Sequence, residues 1–241
     1  MNEEMMSFKS IVQPNKYHGF ILKNTNYNKL HFPKFINKEI LNYIHQLRPT
    51  EPQHSSILGG ILDPNGKHGC GGLFLKEFLK CVFPDGEFIF EENEKWFVTV
   101  ESEHFDIRIK NENDTKIIII ENKSNGASDQ PNQLYRYWLY GIYNKQERLP
   151  KMFCPMSKML YLSPACEKQY EEQSITKPNN DTLPSKMPEK VPEGLIKIIF
   201  FNKEITKWLE NCMNLVENKP EIYYYLKQYK DYWGYALWQK L

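Results

Sequence analysis

The chain has 241 residues, of which 41% are hydrophobic and 25% charged, and its formal net charge is +1. This length is enough for one domain with a substantial core, and the near-zero charge restricts any nucleic-acid surface to a local patch. No apolar run is long enough for a membrane helix, and five scattered cysteines without a CxxC pair favour reduced thiols in a cytoplasmic protein.

The first third of the chain contains an irregular stretch and then helical patterns. Residues 1–35 are polar, so we expect an N-terminal irregular arm or short hairpin. Apolar residues at helical spacing predict helices over 35–47 and 73–83. Another helix is predicted to begin near Thr50, which is a suitable N-cap, with Glu51 in its first turn.

The rest of the chain alternates between strands and helices. Strands are predicted for the β-rich runs at 87–91, 96–109, 116–123, 156–162 and 195–201. A helix over 128–144 follows the third of these runs, and two helices divided by Pro220 end the chain. The stretch 167–194 predicts a long surface loop. This order predicts an α/β fold with a mixed β-sheet flanked by helices, in a single domain over residues 1–241.

The hairpin within 104–123 is expected to bring three charged side chains together. A turn at Asn113-Asp114 pairs residues whose numbers sum to 227, which places Asp106 opposite Glu121. Side chains alternate between the faces of a strand, so Glu121 and Lys123 share a face. Directly opposed residues have Cβ atoms about 5 Å apart. We therefore expect Asp106, Glu121 and Lys123 to converge.

Such a cluster favours phosphodiester hydrolysis with a hard divalent cation. Two adjacent carboxylates repel each other unless a cation lies between them. Mg²⁺ or Mn²⁺ suits Asp106 and Glu121, because such a cation needs few protein carboxylates and leaves room for water and phosphate oxygens. The backbone carbonyl of Asn122 is a candidate third ligand, and Lys123 would hold the attacking water or stabilise phosphate charge. The alternative is an ordinary cross-strand ion pair.

The order of an aspartate, an apolar strand and Glu-x-Lys resembles the PD-(D/E)XK nuclease superfamily. The chain is similar in particular to a bacterial group of stand-alone nucleases, whose members have several further motifs in the same order. Here these motifs are EPQHS at 51–55, LDPNGKHG at 62–69, DQPNQLYRY at 129–137 and ITKWLE at 205–210. One departure is Phe105, which stands where the superfamily nominally has proline before the aspartate.

The resemblance implies a restriction-endonuclease-like fold and a metal-dependent nuclease acting on DNA. Asp106 and Glu121 would be the metal ligands, and Lys123 the catalytic base or charge stabiliser. Glu51 would add another carboxylate to the metal site. Gln133, four residues before Tyr137 on one helix face, would assist catalysis by binding the phosphate or orienting Lys123.

Several side chains are candidate substrate contacts with ordinary structural alternatives. Tyr137 and Gln130 can bind phosphate or form a polar helix face. His54 and His68 can contact substrate, but His54 equally suits a buried structural histidine. Glu51 also suits the N-terminus of a helix, where the helix dipole favours an acid.

The sequence leaves several functional questions open. RNA remains an alternative substrate, because nothing here predicts recognition of a 2′-hydroxyl. A catalytically silent binding or assembly module on the same fold is the other alternative. A homodimer or a partner protein would suit double-strand cleavage, and phage defence, mobile elements and repair are contexts in which such a nuclease acts.

Overall fold

The computed structural model describes residues 42–144, 156–165, 168–179, 183 and 187–238. The predicted arm at 1–35 lies outside these residues, as does part of the predicted loop at 167–194. None of the helices in the described ranges is both long and apolar enough to cross a membrane.

A five-stranded mixed sheet is the centre of the described structure. Its strands are β1 (Trp96–Ser102), β2 (Phe105–Asn111), β3 (Lys116–Asn122), β4 (Met156–Ser163) and β5 (Ile196–Phe200). They lie side by side in chain order. The first three form an antiparallel meander, and β4 and β5 run parallel to β3. With helices packed against it, this sheet confirms the predicted α/β fold of the restriction-endonuclease-like class.

Helices precede, interrupt and follow the strands. They are α1 (Tyr43–Leu47), α2 (Glu51–Leu62), α3 (Leu73–Val82), α4 (Gln133–Trp138), α5 (Glu172–Ile175), α6 (Thr206–Leu215) and α7 (Pro220–Trp238). A π-helical turn, Leu139–Tyr143, continues α4, and another, Phe201–Ile205, leads into α6. The division of the C-terminal helices at Pro220 is as predicted, since proline is tolerated in the first turn of a helix.

The sheet has an apolar layer on each face. Ile118 and Ile120 belong to the layer that α2, α3, α6 and α7 cover, whereas Ile117 and Ile119 belong to the layer that α4 covers. Because β3 is buried on both faces, its sequence is a continuous apolar run rather than an alternating one. The last two residues of β3, Glu121 and Asn122, are polar and are buried as well.

Two strand predictions need correction. The run 87–91 forms no strand, because its aromatic residues pack on the core edge instead: Phe88 lies against Phe83, and Phe90 stacks on Trp96. The run 96–109 is divided into β1 and β2 by a two-residue turn at Glu103-His104, where both residues have positive φ.

The hairpin register is the predicted one. The β2–β3 pairs extend from Lys110 with Ile117 to Ile107 with Ile120, and the numbers in each pair sum to 227. On the other side of β3, Asn122 donates from its side-chain amide to the Glu51 carbonyl and to Ser55 Oγ, at 3.0 and 3.1 Å. The start of α2 is therefore fixed at the carboxyl end of β3.

Candidate active site

Asp106, Glu121 and Lys123 meet at the carboxyl end of β3, as predicted. Lys123 Nζ lies 2.6 Å from Glu121 Oε1. Asp106 Oδ2 accepts the backbone N–H of Asn122 at 2.7 Å. The backbone pairing of β2 with β3 ends at Ile107 and Ile120. Beyond that pair, the Asp106 side chain takes the place of a backbone acceptor on β2.

The cluster is buried and has more acid than base. The side chains of Glu121 and Lys123 are only 2% and 5% exposed. Burial raises the pKa of Glu121 to about 8, and the Asp106 charge acts in the same direction. Burial likewise raises the pKa of Asp106 to about 6, against the opposing effect of the Asn122 N–H. Unpaired negative charge is therefore costly here.

The pKa of Lys123 is raised as well. Burial alone lowers this pKa, but nearby carboxylates, with Glu121 the strongest and Asp129 and Glu51 behind it, outweigh burial. Lysine thus retains its proton while Glu121 tends to gain one. The causes differ, because burial dominates the shift of Glu121 and the surrounding carboxylates dominate the shift of Lys123.

The chemistry of this donor set fits a divalent cation. Glu121 Oε2 is buried and has no hydrogen-bond partner among the described residues. A cation beside Asp106 and Glu121 would occupy that oxygen and offset the excess charge. Across residues 42–144, 156–165, 168–179, 183 and 187–238, no group of three or more His, Cys, Asp or Glu side chains is placed to hold a metal. The carboxylates that meet here are therefore the pair of Asp106 and Glu121.

Helix α4 places two predicted residues against the cluster. Gln133 Oε1 accepts a hydrogen bond from Lys123 Nζ at 3.1 Å. One turn later, the Tyr137 hydroxyl donates to Asp106 Oδ1 at 3.3 Å, and its interaction with Glu121 lowers the pKa of that carboxyl. Both side chains are buried. They are therefore placed to orient the charged residues from the helix side.

Glu51 lies at the edge of the cluster and supports the loop after β3. Its Oε1 accepts the backbone N–H groups of Asn125 and Ala127, at 3.1 and 3.4 Å. Its charge is close enough to help raise the pKa of Lys123.

Gln130 does not lie on the helix face predicted for it. The helix begins at Gln133 rather than near 128, because Asn132 has a left-handed backbone with φ of 57°. Gln130 lies in the exposed loop before it, where its Oε1 accepts from Arg136 at 3.3 Å.

His54 is not placed to contact substrate, which corrects that expectation. Its side chain is fully buried, with its ring 4.9 Å from that of Trp233 and 5.2 Å from that of Tyr232. Nδ1 lies 3.2 Å from the Tyr229 hydroxyl. His54 therefore joins α2 to α7 inside the core.

His68 is likewise remote from the carboxylates. Its ring accepts the Cys70 N–H through Nδ1 at 3.0 Å, and Nε2 bonds the Asp63 carbonyl at 2.9 Å. This loop follows the end of α2 opposite to Glu51, and twelve helical residues span about 18 Å. His68 closes its own loop, and the expected substrate contact is not supported.

Asp129 is a residue of the cluster that the sequence analysis did not assign. Its side chain is fully buried, and Oδ1 lies 3.7 Å from Lys123 Nζ. The Tyr161 hydroxyl donates to the same oxygen at 2.9 Å. In the sequence, Asp129 resembles an ordinary acid before a helix. The one signal that could have assigned it to the cluster is its position shortly after Lys123 in the chain. Tyr161 can be assigned to the cluster only when β4 is known to pair with β3, because that pairing places Tyr161 beside Glu121.

Comparison with known proteins identifies a family for most of the chain. The family model described as PD-(D/E)XK nuclease superfamily matches residues 39–231. No curated protein and no solved structure matches the chain significantly.

Proposed function

The chain belongs to the PD-(D/E)XK nuclease superfamily, and we propose that it is a nuclease that hydrolyses DNA with Mg²⁺ or Mn²⁺. The observation on which this rests is the buried pair of Asp106 and Glu121 beside Lys123, with one carboxylate oxygen unpartnered in the described structure. A buried ion pair that served stability alone would need no second carboxylate.

In this proposal Asp106 and Glu121 hold the cation, and the Asn122 backbone carbonyl is a further ligand. Glu51, at the edge of the cluster, is the acid that would serve a second cation, although its Oε1 already accepts the N–H groups of Asn125 and Ala127. When bound, the cation would polarise the phosphate and activate water for attack on phosphorus.

Lys123 then supplies a fixed positive charge where the phosphate enters. Its ammonium would hold the attacking water or stabilise negative charge on the phosphate oxygens in the transition state. Gln133 holds this ammonium through Oε1, and Tyr137 fixes Asp106 through its hydroxyl. Substrate contact by Gln133 or Tyr137 would follow from their place on α4 beside the charged cluster, and contact by Gln130 from its exposed position before that helix.

A substrate panel tests the proposal. The purified protein is incubated with supercoiled plasmid, linear duplex, single-stranded DNA and RNA of matched sequence, in Mg²⁺, Mn²⁺ or EDTA. We expect DNA cleavage that EDTA abolishes, and cleavage of the closed circle would identify an endonuclease. Glu92→Gln is the matched control for Glu121→Gln, because Glu92 is a largely exposed acid. Cleavage of RNA alone would show that the substrate is RNA rather than DNA. No cleavage of any nucleic acid would favour a catalytically silent binding module.

A further inference from the structure

The ammonium of Lys123 has three polar neighbours among the described residues, of which Asp129 is an ion-pair partner beyond hydrogen-bond distance. Glu121 Oε1 lies at 2.6 Å, Gln133 Oε1 at 3.1 Å and Asp129 Oδ1 at 3.7 Å. The first two contacts are within hydrogen-bond distance, whereas the third is a charge–charge contact between a buried carboxylate and the ammonium. From this arrangement we propose that Asp129 is a positioning residue that holds Lys123 for catalysis. This inference rests on the proposed nuclease function.

Asp129 is itself firmly held. Its Oδ1 accepts the Tyr161 hydroxyl at 2.9 Å, and its Oδ2 accepts the backbone N–H of Glu171 at 2.7 Å. In return, the Asp129 N–H donates to Glu171 Oε1 at 3.4 Å. Both oxygens of this buried carboxylate are therefore satisfied by neighbours from other parts of the chain. Such a network fixes the position of a charge more firmly than a single contact does.

The three polar neighbours of Lys123 differ in the other tasks that we propose for them. Glu121 is a cation ligand, so its negative charge is shared between the cation and Lys123. Gln133 is neutral and offers only a dipole. Asp129 is thus the carboxylate whose charge remains available to Lys123 once Glu121 is engaged.

The position of Asp129 also connects the site to the segment between β4 and β5. Glu171 directly precedes α5, and the neighbouring Gln173 carbonyl accepts the Asn132 N–H at 2.8 Å. Ser174 Oγ accepts the Leu134 N–H at 3.3 Å. This segment therefore fixes both Asp129 and the first turn of α4, which contains Gln133. Two of the three polar neighbours of Lys123 are therefore held by the same segment.

The test compares Asp129→Asn with the wild type in four measurements. These are kcat and KM on a cleaved DNA, Mg²⁺ affinity by calorimetry, thermal stability, and the extent of reductive methylation of Lys123 by mass spectrometry. The asparagine retains an oxygen for Tyr161 and removes the charge. We expect kcat to fall about tenfold to a hundredfold, KM and Mg²⁺ affinity to change less than about twofold, and methylation of Lys123 to increase.

Tyr161→Phe is the second variant, because it releases Asp129 without touching Lys123. We expect Tyr161→Phe to lower kcat less than Asp129→Asn does, with a smaller increase in methylation of Lys123. A third variant, Asp129→Glu, retains the charge and should have a kcat between those of Asp129→Asn and the wild type. If Asp129→Asn does not fold, unchanged kcat and methylation in Tyr161→Phe overturn the inference.

The possible failures are distinguishable. A wild-type protein that cleaves nothing refutes the nuclease proposal, whereas an active wild type with unchanged kcat and methylation in Asp129→Asn refutes only the role of Asp129. A parallel loss of Mg²⁺ affinity would make Asp129 a metal ligand and also overturn the inference.

Discussion

Asp106 Oδ2 accepts the backbone N–H of Asn122 at 2.7 Å, so one carboxylate joins β2 to β3 where their paired register stops. The residue that we propose as a cation ligand thus also holds the end of the Glu-x-Lys strand in place. Its second oxygen accepts the Tyr137 hydroxyl. The proposed metal site and the local strand geometry therefore depend on the same side chain.

This double role predicts different effects for two substitutions of Asp106. Asp106→Asn retains an acceptor for the Asn122 N–H, whereas Asp106→Ala leaves that group without its partner. Both should abolish cleavage, but the alanine variant should be less stable than the asparagine variant by about 1 kcal/mol. Cleavage assays and urea unfolding check this. Full activity in either variant would contradict the proposed ligand role.

The raised pKa of Glu121 predicts how stability without a cation depends on pH. A carboxyl whose folded pKa is about 8, against an ordinary 4.5, contributes stability that is fully present below about pH 4.5. This contribution is lost as the pH rises through about 8, because ionising the buried group is unfavourable. Glu121→Gln should therefore exceed the wild type in stability at alkaline pH by on the order of 1 to 3 kcal/mol.

Thermal melts between pH 5 and 9 in EDTA check this sign. Asp106, with a pKa near 6, adds a dependence of the same sign that remains in the variant. Added Mg²⁺ should stabilise the wild type at alkaline pH and have little effect on Glu121→Gln. A wild type that gains stability over the glutamine variant as pH rises in EDTA would contradict the assignment.

His54 predicts the opposite dependence at acid pH. Burial lowers its pKa to about 4, so its contribution to stability is present above about pH 6.5 and is lost as pH falls toward 4. The lowered pKa corresponds to a loss of about 2 to 3 kcal/mol in the free energy of unfolding as the pH falls through this range. His54→Phe should reduce this loss. It should leave kcat and KM close to those of the wild type, since the ring lies in the core. A large rise in KM would restore a role for His54 in substrate binding.

The packing of Gly141 is expected to control how closely α4 approaches the sheet. A Cβ atom there would lie 2.3 Å from Ile119 Cδ1 and 3.0 Å from Phe105 Cζ. Gly141→Ala should therefore cost about 1 to 3 kcal/mol of stability. Ile119→Val removes the closest atom, so the double variant should recover part of this loss. Additive losses in the double-mutant cycle would show that the two sites are uncoupled.

Local pattern was sufficient to predict the central part of this site. The position of the turn determines the register that places Asp106 near Glu121, and the two-residue period of a strand places Glu121 and Lys123 on one face. The spacing of Gln133 and Tyr137 determines that they share a helix face. These relationships act over short stretches of chain, so they are visible in the sequence.

Relationships that depend on distant packing were not predictable in the same way. His54 is buried because α7 packs over α2, and His68 lies at the far end of α2 from Glu51. Asp129 meets Lys123 through Tyr161 on β4 and Glu171 beyond it. The placement of His54 requires the packing of the C-terminal helix, and that of Asp129 requires the parallel crossover from β3 to β4, which no local spacing encodes.

Cleavage of DNA by Glu121→Gln, beside the wild type, tests the central claim most directly. The amide has nearly the shape of the carboxylate and can still accept from Lys123, so the variant removes little besides the negative charge. We predict a loss of Mg²⁺-dependent cleavage of at least about a hundredfold, without loss of stability in EDTA. Cleavage at the wild-type rate by this folded variant would contradict the assignment of the carboxylate pair as the catalytic metal site.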